Sequence, residues 1–453
     1  MASGLFLLRG YNDIDYAAPI LDRLLRERPF EVRAMFVDPF YDERGDTRLE
    51  YLRVQHGFSV EWLYDHASGA TAALFRLIRA FVRSPLRRTS AGRRVNALLT
   101  LLWLRHAATA DVPPLVERAI GETAPDFVAL DHFANPLIER IVEELRQRGA
   151  KSVIVPSGTL TILNMIWHPS HVTKEAALPA RAHRLADVML FGTKYELARY
   201  DPAALPVHHI IGVPRYCDEW MRVSKTLRET NSAGFLNAGS RRLNQRIREG
   251  FQRAKARPAK LRVAYMATFA DAGVWMDECI RAVRLIADFA DVVIATKFKP
   301  SNHTPRAGAI IEAMTSRPNA FVVDGTVPSS ALIDWADVVM VNLSSINLEV
   351  IQRDKPLWQL SYVHAAINVF DEYGVGWRMR CPDDLLVAVR KNLENPRYRP
   401  YSDDAVRTFE RDFIHAGLPN GDVLGRTASV LADIAHRRAP MEPEQLAAGA
   451  ATR

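Results

Sequence analysis

The sequence predicts an α/β protein built from two doubly wound domains, each on a parallel sheet. Short apolar runs alternate with amphipathic stretches along most of the chain, as in strands joined by crossover helices. The pattern runs to about Ile211 and restarts at Arg262. A chain of 453 residues with 48% hydrophobic and 25% charged side chains is too long for one core and too apolar for a disordered or fibrous protein.

The first half opens with a strand at Leu5 to Leu8 and a turn at Gly10. A helix follows from Asp13 to Arg28, with Asn12 or Asp13 as its N-cap. Strands are predicted at Glu31 to Val37, Phe127 to Leu130, Ser152 to Val155, Val188 to Phe191 and His208 to Ile211. Helices are predicted at Pro114 to Gly121 and Pro136 to Arg148. The second half gives strands at Arg262 to Tyr265, Val292 to Ala295, Ala320 to Val323, Val338 to Val341 and Leu357 to Leu360. Helices fall between them at Met276 to Asp288, Ala307 to Thr315, Ser329 to Trp335 and Ile346 to Arg353. Three more are expected at Asp383 to Asn395, Asp403 to His415 and Asp422 to His436.

The expected organisation is an N-terminal domain over 1–220 with a helical insertion at 60–122. A basic connection at 221–260, a second domain at 261–400, helices at 401–437 and a disordered tail at 438–453 follow. Open parallel sheets put ligands at the carboxyl ends of their strands, and a cleft between the two domains is the expected site.

Three widely separated cysteines, with no C-x-x-C pair, argue against a zinc site or a disulfide framework and for a reducing, cytoplasmic setting. The apolar run near the start is four residues, Leu5 to Leu8, too short for a signal peptide, and no window suggests a membrane span. No G-x-x-x-x-G-K-[ST] occurs and no G-x-G-x-x-G follows a strand, which disfavours P-loop NTPases and nicotinamide dehydrogenases.

A net charge of +7 points to an anionic partner. Between His66 and Ala110 lie eight arginines and no acidic residue: Arg76, Arg79, Arg83, Arg87, Arg88, Arg93, Arg94 and Arg105. Apolar residues, Trp103 among them, are interleaved, and Ser84-Pro85 separates two helices. Such a pair fits peripheral contact with the anionic inner face of a membrane. It also fits a solvated surface pair packed on its own domain, or contact with another anion; nucleic acid is not the favoured partner.

Three stretches carry candidate chemistry. Val338 to Val341 runs into Ser344-Ser345 and then a helix holding Glu349, where hydroxyls and helix N–H groups suit a phosphate and the carboxylate suits a sugar hydroxyl. A cap on the helix is the alternative role for the serines. After Val292 to Ala295 come Lys297, Lys299 and His303, the two lysines pointing the same way in an extended segment. Gly212-Val213-Pro214-Arg215 closes the first half. Asp131 and His132, at a strand end, are the leading candidates for a catalytic base, and Asp13 and Asp15 come next, with helix capping as their alternative. His168 and His171 fit a loop better than a metal pair, and no Asp-x-Asp follows a strand, so neither a metal nor another cofactor is expected.

These motifs, in this order, resemble the GT-B superfamily of glycosyltransferases and glycerophosphotransferases that build bacterial surface polymers, including CDP-glycerol glycerophosphotransferase-like and capsule-polysaccharide families. The resemblance covers roughly Lys151 to Asn395 and rests on Gly212 to Arg215, on Lys299-Pro300 with His303, and on Ser344, Ser345 and Glu349. Similar His-Pro and Ser-Ser pairs occur in bacterial sialyl- and Kdo-transferases. The chain departs from the pattern at Ser301-Asn302, and at Pro156 to Thr159, where relatives often carry His-Gly. The resemblance implies two Rossmann-like domains and transfer of a sugar or polyol phosphate from a nucleotide-activated donor to a surface polysaccharide or lipid-linked acceptor. Lys297, Lys299, His303, Ser344, Ser345, Glu349 and Arg215 would then bind the donor. A UDP-sugar 2-epimerase on the same fold and a non-catalytic polysaccharide-binding or export protein are the alternatives.

Overall fold

The computed structural model describes residues 2–88, 90–131, 136–156, 158–159, 161–163, 185–200, 205–227, 240–268, 273–298 and 307–436. It forms two compact units. The chain leaves the first after Thr159, returns to it, leaves again after Leu227, and re-enters it at Asp412. The break at Asp412 divides the expected set of C-terminal helices, 401–437, between the units.

The first unit is built on β1 (Ser3–Leu8), β2 (Glu31–Phe36), β3 (Glu61–Trp62), β4 (Phe127–Leu130), β5 (Lys151–Ile154), β6 (Val188–Phe191) and β7 (Val207–Ile210). They form a parallel sheet in the order β3-β2-β1-β4-β5-β6-β7. The central strands β1 and β4 are apolar and buried along successive residues, so both sheet faces are covered. The main helices are α1 (Tyr11–Glu27), α2 (Thr47–His56), α3 (Gly69–Arg83), α4 (Ser90–Thr109), α5 (Val112–Ile120) and α6 (Pro136–Gln147). The N-cap of α1 is Gly10, not Asn12 or Asp13; Asp13 sits in the first turn and accepts the Arg9 backbone N–H at 2.7 Å. Sequence periodicity did not reveal α2 or the two-residue β3.

Gly212 accounts for the end of this unit. Its φ is +88°, and a Cβ there would lie 2.6 Å from Val423 Cγ2, so only glycine lets the returning C-terminal segment pack so close. Next to it, Val213 N–H donates to the Ile414 carbonyl at 2.8 Å. The Gly-Val-Pro-Arg segment thus fastens the helix Val423–Ala435 to the first unit.

The second unit holds β8 (Leu261–Ala267), β9 (Val292–Phe298), β10 (Ala320–Val323), β11 (Val338–Val341), β12 (Leu357–Leu360) and β13 (Trp377–Met379). They pair in parallel in the order β10-β9-β8-β11-β12-β13. The basic stretch expected to be a connection is instead a helix of this unit, Arg241–Ala256. Leu243, Ile247, Gly250 and Ala254 recur at three and four residues and form its buried face. A Cβ on Gly250 would come 2.0 Å from the Val322 carbonyl oxygen, so the helix backbone lies directly on β10 while its arginines and lysines face outward. The expected disordered tail, 438–453, lies outside the described residues.

Candidate functional site

Each sheet reverses its strand order once: between β1 and β4 in the first, between β8 and β11 in the second. Crossover helices leave in opposite directions there, which opens a crevice at the carboxyl ends of the two strands. Polar residues collect at both places.

In the first unit Arg9 follows β1 and Asp131 follows β4. The Arg9 guanidinium donates to Asp131 Oδ2, and its Nε donates to Asp13 Oδ2 at 3.2 Å. One cation therefore holds two buried carboxylates. Burial pushes the Asp13 carboxyl up; Arg9 pulls it back, and the Asp131 charge adds to the upward shift. Asp38, following β2, is also raised by burial, against its hydrogen bond from Phe40 N–H at 2.9 Å. Asp13 and Asp131, chosen separately from the sequence, share one cluster. The side chain of Asp131 is engaged by Arg9, across the neighbouring ends of β1 and β4. His132 lies outside the described residues.

Asp15 belongs to a second network on α1. It pairs with Arg48 and, at 2.7 Å, with Arg215, which lies in the first unit beside Tyr216. Tyr16 shares a hydrogen bond of 2.5 Å with Thr159, and burial raises its phenol well above the usual range.

In the second unit Asn342, one residue past β11, reaches back across the reversal. Its Oδ1 accepts the Thr268 backbone N–H and hydroxyl, each at 3.1 Å, and its own neighbour's Leu343 N–H at 2.8 Å. Its Nδ2 donates to Tyr265 Oη at 3.3 Å. This fully buried amide ties the ends of β8 and β11 together and presents the next residues, Ser344 and Ser345, at the crevice. The Ser344 hydroxyl accepts the Ile346 N–H at 3.3 Å, so it performs the capping role that was the alternative reading. The Ser345 hydroxyl makes no cap bond, and both serines are partly exposed.

The other expected donor contacts differ. Lys297 is buried, and its ammonium donates to the Val327 carbonyl and, at 3.1 Å, to Ser329 Oγ; it ties the end of β9 to the segment that follows β10 instead of facing solvent. Burying an ammonium requires partners on the protein, and these two oxygens supply them. Glu349 is buried on the helix Ile346–Gln352 and accepts from Arg353 Nε at 3.0 Å. Lys299 and His303 fall outside the described residues, as do His168 and His171. Among the described residues no group of three or more His, Cys, Asp or Glu side chains is arranged to hold a metal ion.

No family model matches the chain, and no curated protein matches it in sequence. Solved structures do. UGT71G1 of Medicago truncatula, complexed with UDP-glucose, aligns with a TM-score of 0.54 at 9% identity, covering 96% of this chain and 98% of its own. TcCGT1 in complex with UDP gives 0.52 at 11% identity, over 96% and 99%. UDP-GlcNAc 2-epimerase from Neisseria meningitidis, bound to UDP-GlcNAc, gives 0.51 at 9%, over 96% and 100%. The fold is GT-B.

GT-B is shared by UDP-GlcNAc 2-epimerases and glycosyltransferases, and at these identities the likeness concerns architecture alone. Several residues of this GT-B chain were not singled out from the sequence: Arg9, Thr268 and Asn342 at the two crevices, and the buried His364. A polar residue directly after an apolar strand was the available signal, and Arg9 and Asn342 both carry it. His364 follows β12, and burial pushes its pKa down to about 4.

The arginine-rich pair also differs from expectation. Arg79 is 5% exposed: it donates to the Pro39 and Tyr41 carbonyls, pairs with Glu43, and lies 4.0 Å over the Trp62 ring. Trp103 is 3% exposed and packs against Tyr64. Both were expected at a membrane surface, yet both hold the hairpin to its own unit: the Arg79 guanidinium is compensated for burial by three oxygen partners and a ring face. Arg83 pairs with Glu43 at 3.1 Å, and Arg87 donates to the Phe40 carbonyl at 3.1 Å. Arg76 and Arg94 are exposed, and the side chains of Arg88 and Arg93 fall outside the described residues.

Proposed function

We propose that this chain is a GT-B transferase that moves a sugar or polyol phosphate from a nucleotide-activated donor to a surface polysaccharide or lipid-linked acceptor. The observation that carries this reading is the strand-order reversal of the second sheet, where Asn342 presents Ser344 and Ser345. Hydroxyl and backbone N–H groups there suit the leaving phosphates, whose negative charge grows as the donor bond breaks. Lys299 and His303, after β9, are the cations assigned to the same task. Transfer also needs a group to take the acceptor hydroxyl's proton, a role assigned to Asp131 of the Arg9 cluster, with Asp13 beside it.

UDP, CDP, CMP and GDP are to be titrated into the protein by calorimetry. One of them binds, and a Ser344→Ala/Ser345→Ala variant binds it about tenfold more weakly, through loss of hydrogen bonds to a charged group. If none binds, the donor site is wrongly assigned. A 2-epimerase is the second reading, supported by the likeness to the Neisseria enzyme. Incubation with UDP-GlcNAc alone, followed by NMR, separates the two, because an epimerase forms the C2 epimer without any acceptor.

A further inference from the structure

The α3–α4 hairpin of the first unit carries an apolar surface that neither the sheet nor the proposed chemistry uses. One side of α4 is buried through Leu99, Trp103 and Ala107. The opposite side is apolar too: Leu98, Leu101 and Leu104 are 56%, 53% and 50% exposed, with Leu102 between them. Leu77 of α3 and Leu86 in the connecting turn are exposed as well. Single exposed leucines are ordinary, but several on one side of a helix whose other side is already buried form a continuous apolar patch. Neighbouring apolar side chains along one helix mark a contact surface.

The charges on this face select its occupant. Arg94 and Arg105 are exposed, and each lies three or four residues from an exposed leucine, so they share the outward side of α4. Arg76 is exposed on α3. No acidic residue occurs from Ala67 to Ala110. A second copy of this face would bring like charges together. An anionic bilayer meets both features, since its acyl boundary takes leucines and its phosphates take guanidinium groups.

The platform is braced from behind. Trp103 packs edge-on against Tyr64 with ring centroids 4.8 Å apart, and Thr71 Oγ1 and His106 Nε2 join α3 to α4 at 2.7 Å. Arg79 locks α3 to the Pro39 and Tyr41 carbonyls. No helix among the described residues is long and apolar enough to cross a membrane, so such an element lies on a surface.

We infer that the outward face of α4 docks the first unit on an anionic phospholipid bilayer, with Leu98, Leu101 and Leu102 entering the acyl boundary and Arg94 and Arg105 meeting headgroup phosphates. The inference is independent of the donor assignment, and its test uses no nucleotide.

The test is flotation of the full chain with vesicles of phosphatidylcholine plus phosphatidylglycerol, and with phosphatidylcholine alone. The protein floats with the mixed vesicles, and less so as salt rises. A Leu98→Ser/Leu101→Ser/Leu102→Ser variant and an Arg94→Glu/Arg105→Glu variant each bind about tenfold less. All five side chains are exposed, and thermal unfolding confirms that each variant is folded. Recovery of the wild type at the bottom of both gradients overturns the inference, and so does equal flotation on neutral vesicles. A dimer in sedimentation equilibrium that the serine variant abolishes, with flotation unchanged, overturns it in favour of self-association.

Discussion

The Arg9 guanidinium, one residue past β1, donates to the Asp131 carboxylate, one residue past β4, so an ion pair spans the point where the first sheet reverses its strand order. The same guanidinium holds Asp13 at 3.2 Å. Removing it leaves two mostly buried carboxylates facing one another. Arg9→Met should lower stability by about 2–3 kcal/mol, because an uncompensated buried charge costs more than the pair contributes. Urea unfolding measures this, and adding Asp131→Asn to Arg9→Met should recover part of the loss.

Asp13 also reports on its neighbour. The Asp131 charge is one cause of its upward shift, so Asp131→Asn should let Asp13 ionise at lower pH. Carboxyl NMR of Asp13 in the two proteins follows the change. An unmoved titration would mean that the two carboxylates do not interact.

His364 makes the second unit sensitive to acid. Burial lowers its pKa from 6.5 to about 4, so the folded chain binds fewer protons than the unfolded chain in that interval. The contribution is fully present above about pH 6.5 and is lost as pH falls towards 4, by an amount on the order of 3 kcal/mol. His364→Gln should flatten the pH dependence of thermal unfolding over this range.

Asn342 joins two strand ends with one amide. Asn342→Ala leaves the buried Thr268 N–H and hydroxyl without their acceptor and should cost about 2 kcal/mol. On the proposed function, nucleotide binding also weakens, because Ser344 and Ser345 lose their support. Denaturation and calorimetry test the two parts separately.

Gly212→Ala should destabilise the first unit by about 2 kcal/mol or more. The added Cβ meets Val423 Cγ2 at 2.6 Å on a backbone with φ of +88°. Limited proteolysis should release the C-terminal segment from Asp412 before the rest of the unit.

Alternation of apolar runs and helical periodicity revealed the two-sheet architecture and located most of the strands that carry it, because a strand buried on both faces leaves a continuous apolar signal. β3 and β13, of two and three residues, are too short to show periodicity and exist only through pairing with a neighbour. The helix Arg241–Ala256 is hard to read from sequence because ten of its twelve positions outside the buried face are polar or charged, while its contact face depends on Gly250, whose role is to have no side chain.

Sequence alone determined the parallel α/β class, the restart of the pattern at the second domain, and which strand ends carry Asp131, Ser344 and Ser345. Tertiary structure decided what those residues touch: Arg9 binds Asp131, Asn342 supports the serine pair, and Lys297 and Arg79 turn inward to carbonyl oxygens. The physical reason is range. Burial periodicity is written along a few consecutive residues, whereas the partner of a polar group past one strand lies on another strand, tens of residues or more than a hundred away, and only the folded sheet brings the two together.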